Sequence, residues 1–89
     1  MKRLLFVLLA VLAGALGADD FDYRLVARPV ATDVYAFIGK TEDFDARNGG
    51  NIVNTGFIVG AEGIVVIDSG PSLRYGQQMR QAIARVSAK

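Results

Sequence analysis

The stretch GIVVIDSGPS, residues 63–72, constrains the fold more than any other part of the chain. Ile64, Val65, Val66 and Ile67 are β-branched and apolar without a break, which suits an extended strand. Neighbouring residues of a strand point to opposite faces, so an unbroken apolar run asks for a covering layer on each side. Asp68 follows at once, then Ser69, Gly70 and Pro71, which read as a turn. Ser72 stands as N-cap of a segment in which Tyr75, Gly76, Met79, Ala82, Ile83 and Val86 recur at three and four residues. Arg74, Gln77, Gln78, Arg80, Gln81 and Arg85 take the other side. The spacing predicts an amphipathic helix. Gly76 weakens it by up to about 1 kcal/mol relative to Ala, and a small residue on a packed face permits close approach to a sheet. A strand, a turn and a helix in this order open a layered domain.

Material for those layers is scarce. The chain has 89 residues, and the first of them do not read as fold. Lys2 and Arg3 precede an apolar run over residues 4–16, and small residues follow, the pattern of a secretory signal. The run falls short of the ~20 residues a membrane helix needs. Cleavage after Gly17 places Ala15 and Gly17 at the small-residue positions; cleavage after Ala18 leaves Leu16 at the third position back. Both points are open, and an uncleaved anchor is the alternative. The division expected is a signal over 1–17 and a folded part over 18–89, located in the periplasm or secreted. No Cys follows the apolar run, so the chain is not a lipid-modified lipoprotein.

The folded part has neither disulfides nor Cys to make them, although small exported domains commonly rely on such staples. A domain of this size is marginal without them, a hint that the chain belongs to something larger. Without Lys2 and Arg3 it carries eight basic and nine acidic residues. That balance excludes a nucleic-acid footprint, which needs a strong basic stripe, and gives no attraction to an anionic membrane once the signal is removed.

Before the apolar run lie three further strand signals. Residues 23–30, YRLVARPV, put Tyr23, Leu25 and Ala27 on one side and Arg24, Val26, Arg28 and Val30 on the other. Pro29 favours an edge strand or a strand end. Thr32 and Asp33 mark a turn, and residues 34–39, VYAFIG, form a second strand. Residues 40–51, KTEDFDARNGGN, read as a long, flexible hairpin loop in which Asn48, Gly49 and Gly50 tolerate positive φ. Residues 52–60 are a third strand, and residues 60–63 a short hairpin connection into the fourth.

The segment NTGFIVGAEGIVVIDSGPS, residues 54–72, resembles the opening hairpin of the metallo-β-lactamase superfamily. The long polar loop before it and the amphipathic helix after it stand in the order found in that family. The resemblance spans residues 23–89 and is nearest to exported zinc metallohydrolases associated with quinoprotein dehydrogenase and sulfur-oxidation systems. It implies an α+β chain: the N-terminal β-hairpins and first helix of an αββα sandwich, incomplete here. Asp68 matches the family's first signature aspartate. The resemblance implies that Asp68, with Ser69 and Gly70, orients the loop that later brings in the metal ligands and does not itself bind zinc. Without the resemblance, a local turn cap is the favoured reading of Asp68. In the family this hairpin loop can cover the active site, so Phe44, Asn48, Gly49 and Gly50 become candidate contacts to a small-molecule substrate. Phe44 as an ordinary loop aromatic is the alternative.

The family's His-x-His-x-Asp-His run is absent, and the chain contains no His at all. Zinc is implied for a longer parent only, and this chain is expected to hold no cofactor. The lack of His also leaves Ser69 and Ser72 without a base for nucleophilic catalysis. Glu42, Asp43 and Asp45 cluster in the loop without the spacing of a calcium loop. Two functions stand: the N-terminal part of an exported metallo-β-lactamase-fold hydrolase, inactive alone, or a small secreted binding or interaction module without catalysis. Substrate, number of metal ions and oligomeric state are not encoded in these residues.

Overall fold

The computed structural model of the chain describes residues 21–89. The expected signal, both candidate cleavage points and Asp19 and Asp20 lie outside the described residues. Four strands come in succession: β1 (Arg28–Ala31), β2 (Val34–Phe37), β3 (Thr55–Val59) and β4 (Ile64–Ile67). Helix α1 (Leu73–Val86) follows. The strands pair antiparallel in chain order, β1-β2-β3-β4. The result is a mixed α+β unit, a four-stranded meander with one helix.

The turns are made by the residues that marked them. Asp33 takes a φ of 60° between β1 and β2, and its carbonyl accepts from the Val59 amide at 2.8 Å. The Gly60 amide donates to the Gly63 carbonyl at 2.7 Å to close the hairpin between β3 and β4. Ser72 caps α1: its Oγ accepts from the Tyr75 amide at 3.0 Å.

The first strand is shorter than the alternation predicts. Residues 23–27 are irregular, with Arg24 at a φ of 50°. Their burial still alternates, Tyr23 inside and Arg24 and Val26 outside. The reason lies in hydrogen bonding. The Tyr23 amide donates to Gln78 Oε1 at 2.8 Å, and Gln78 Nε2 donates to the Phe21 carbonyl at 2.7 Å. The helix takes up backbone groups that a longer β1 would have offered to β2.

Pairing Tyr35 with Phe57 and Phe57 with Val66 puts these residues on one face of the sheet. That face carries Phe37 and Phe57 against Tyr75, Met79, Ala82 and Ile83 of α1, with Tyr23 at one end. Tyr35 stacks on Phe57 with ring centroids 4.9 Å apart. Burying each large ring contributes roughly 1.5–3 kcal/mol.

β4 departs from its expected burial on both faces. It is an edge strand, and Val65, Val66 and Ile67 are 60, 49 and 52 % exposed. Ile64 and Val66 border a groove beside α1 with Met79 and Ile83. Val65 and Ile67 lie on the opposite face with Val34, Ala36 and Ile58, where no described element covers them. The helix supplies one layer, and the second layer that the apolar run asks for is not among the described residues.

Candidate functional site

The turn after β4 and the loop between β2 and β3 meet at one end of the sheet. Asp68 adopts a φ of 63°, a left-handed conformation that Asp tolerates better than most residues. Its Oδ1 accepts from the Gly70 amide at 3.0 Å, closing an Asx turn. The residue is exposed, and among the described residues its other oxygen has no partner. Ser69 is exposed beside it. Gly70 has a φ of 79° and lies flat under the Tyr75 ring, where any Cβ would collide with ring carbons.

Tyrosine hydroxyls tie this turn to the loop. Tyr23 Oη donates to the Gly49 carbonyl at 2.7 Å and lies 2.9 Å from Ser72 Oγ. Since the Tyr23 proton is used on Gly49, Ser72 donates to Tyr23 while accepting from the Tyr75 amide. Tyr75 Oη meets Thr55 Oγ1 at 2.7 Å inside the core. Burial pushes the Tyr75 phenol above its ordinary value, against the lowering effect of the Thr55 bond. The rings of Tyr23 and Tyr75 pack edge to face, 5.0 Å apart.

The loop is organised around a buried amide rather than left free. Asn48, 3 % exposed, donates from Nδ2 to the Asp43 carbonyl at 2.8 Å and to Glu42 at 3.2 Å. Its Oδ1 accepts from the Asp45 amide at 3.1 Å and the Gly50 amide at 2.9 Å. Asp45 caps the 3₁₀ turn Ala46–Asn48 and pairs with Arg47 at 3.1 Å. The Arg47 guanidinium, then the Arg47 amide, hold the Asp45 carboxyl below its ordinary range. Gly49 and Gly50 take φ values of 61° and 78°. A Cβ on Gly50 would stand 2.6 Å from the Phe44 ring and 3.0 Å from Pro71, so both groups close over its backbone. Phe44 is otherwise 72 % exposed.

The structure therefore places the candidate residues as follows. Gly50 lies against Pro71, and the Gly49 carbonyl is joined to Ser72 through Tyr23 Oη, in the turn that carries Asp68, Ser69 and Gly70. Phe44 projects from the same loop, and Asn48 sits beneath it with its polar atoms engaged. Tyr23, Thr55, Tyr75 and Gln78, which join the parts, are not singled out by sequence reading as site residues. These long-range partners are 20 to 57 residues away, and no local pattern encodes such pairings.

The resemblance implies zinc for a longer parent, not for these residues. Among the described residues no three His, Cys, Asp or Glu side chains form a group that could hold a metal ion. Among them, too, no helix is long and apolar enough to cross a membrane. Comparison of the chain with protein-family models, curated proteins and solved structures finds no match to any of them.

Proposed function

We propose that this chain is the amino-terminal scaffold of an exported metallo-β-lactamase-type hydrolase, an αββα sandwich whose metal ligands lie outside these 89 residues. One observation carries the reading. Among the described residues the sheet is covered by α1 on one face only, while Val65 and Ile67 stand bare on the other and no strand pairs with the outer edge of β4. A two-sheet sandwich split in half would leave such a surface, with helix outside and apolar sheet face inside. In this reading Asp68 holds the incoming ligand-bearing loop through its unused oxygen, on a turn shaped by Ser69 and Gly70. Phe44, carried on the Gly49–Gly50 bend and braced by Asn48, faces a small-molecule substrate. Among the described residues no group of three side chains could hold a metal ion, and in this reading bond cleavage belongs to the parent.

Residues 18–89 prepared alone test the reading. They are expected to aggregate or to melt without cooperativity, to retain no zinc and to hydrolyse nothing. A monodisperse species with a sharp melt contradicts the proposal. It favours a small exported interaction module, whose open β4 edge would accept a partner strand.

A further inference from the structure

Residues 21–25 form an arm that lies against α1 without joining the sheet. Side chains, not a strand ladder, take its backbone groups. Gln78 clasps it twice, accepting from the Tyr23 amide at 2.8 Å and donating to the Phe21 carbonyl at 2.7 Å. Asp22 takes the Arg24 amide at 2.9 Å, within the arm itself. Arg24 is held at a φ of 50°, a left-handed conformation that is harder on Arg than on Gly or Asn. An arm held in this way can leave without breaking a strand pairing, and its departure relieves that φ. Units of this kind open at less than the free energy of global unfolding.

The same arm holds the loop. Tyr23 Oη donates to the Gly49 carbonyl at 2.7 Å and pairs with Ser72 Oγ at 2.9 Å. The Phe21 ring backs the bend: a Cβ on Gly49 would stand 2.8 Å from its Cδ1. The Phe21 and Tyr23 rings pack on each other with centroids 4.7 Å apart. Tyr23 is buried against Tyr75, so the arm is docked at rest. Among the described residues both hydrogen bonds of the Gln78 side chain go to the arm. Its grip reaches the loop through Phe21 and Tyr23.

We infer that the arm is a strap with two positions, closed by Gln78 as a positioning residue: docked, it fixes the Gly49–Gly50 bend to the turn at Ser72, and released, it frees the loop that carries Phe44 while the sheet and α1 stay folded. Coupling between two sites is reciprocal. A ligand that fixes the loop therefore tightens the arm, and a partner that draws the arm off α1 opens the loop. That the ligand is a substrate rests on the hydrolase reading; the strap itself does not.

Hydrogen–deuterium exchange of the exported product of the full reading frame tests the strap without substrate or zinc, so its failure is distinct from failure of the hydrolase reading. The readout is the amides of residues 48–52, which are hydrogen-bonded within the loop, compared with those of α1 and β3. In Gln78→Ala the loop amides are expected to exchange about tenfold faster, the equivalent of one to two net hydrogen bonds. Helix α1 is expected to keep its rate, because Ala suits a helix at least as well as Gln. Tyr23→Phe keeps the ring, loses both hydroxyl bonds and is expected to act alike. Ile83→Val trims the core and is expected to speed α1 and β3 as much as the loop. The strap is overturned if either Gln78→Ala or Tyr23→Phe leaves the loop at its original rate. It is equally overturned if loop, α1 and β3 accelerate together in Gln78→Ala, as in Ile83→Val.

Discussion

Tyr75 joins most of what the fold depends on. Its ring covers Gly70, its amide is held by Ser72, and its hydroxyl pairs with Thr55 in the core. Removing the hydroxyl in Tyr75→Phe leaves Thr55 Oγ1 buried and unpaired, a cost of about 1–3 kcal/mol. The same substitution changes the response to alkali. Burial raises the folded-state phenol above the ordinary 10.0, so the unfolded chain loses that proton first. The resulting contribution is complete below pH 10.0 and is lost as pH rises through the folded value. Urea unfolding of the exported product at neutral and at strongly alkaline pH checks both effects. The Phe variant should start lower and lose less on going to alkali. Asp68 shows how far single residues can be read in advance. Its place at a strand end before Ser-Gly-Pro marks a turn, and the Asx bond to Gly70 follows from that local sequence. What its second oxygen serves is not local, and sequence adjacency carries no information on it.

At the scale of elements, periodicity gave the helix and its inward face, and four strands of which β1 is shorter and β4 more exposed than expected. The helix begins one residue after its expected cap and buries Tyr75, Met79, Ala82 and Ile83 from the expected stripe. Gly76 is different from its expected role. A Cβ there would meet nothing nearer than the Ser69 carbonyl, 4.0 Å away, so no close approach to the sheet requires glycine. Gly76→Ala is expected to stabilise the protein by up to about 1 kcal/mol through helix propensity, measured as a rise in the midpoint of unfolding. A fall instead would place another segment in the groove beside Val66. Two elements were not legible. β1 loses its first half because Gln78 captures the arm, a contact across 55 residues. The loop reads as flexible from its Gly and Asn content, yet one buried Asn with four hydrogen bonds orders it. Composition cannot separate an amide that braces a loop from one that is solvated.

For the molecule as a whole, the conflict between demand and supply of layers was visible in the sequence. Ile64 to Ile67 ask for two covers, and the described residues offer one α-helix. The structure locates the shortfall on a particular surface, the face of Val65, Ile67 and Ile58 and the free edge of β4. Leaving it in water forgoes roughly 25 cal/mol for each Å² of apolar area that a second layer would bury. A sandwich half fits that surface, and so does an interface, which is why the identity of the covering layer is the central question. The most direct measurement is the nucleotide sequence beyond the codon for Lys89, read from the natural transcript. The account predicts a continued frame, with a further strand and then a His-x-His-x-Asp-His run that gives Asp68 its loop to hold. A stop codon with no such run in any nearby frame contradicts it.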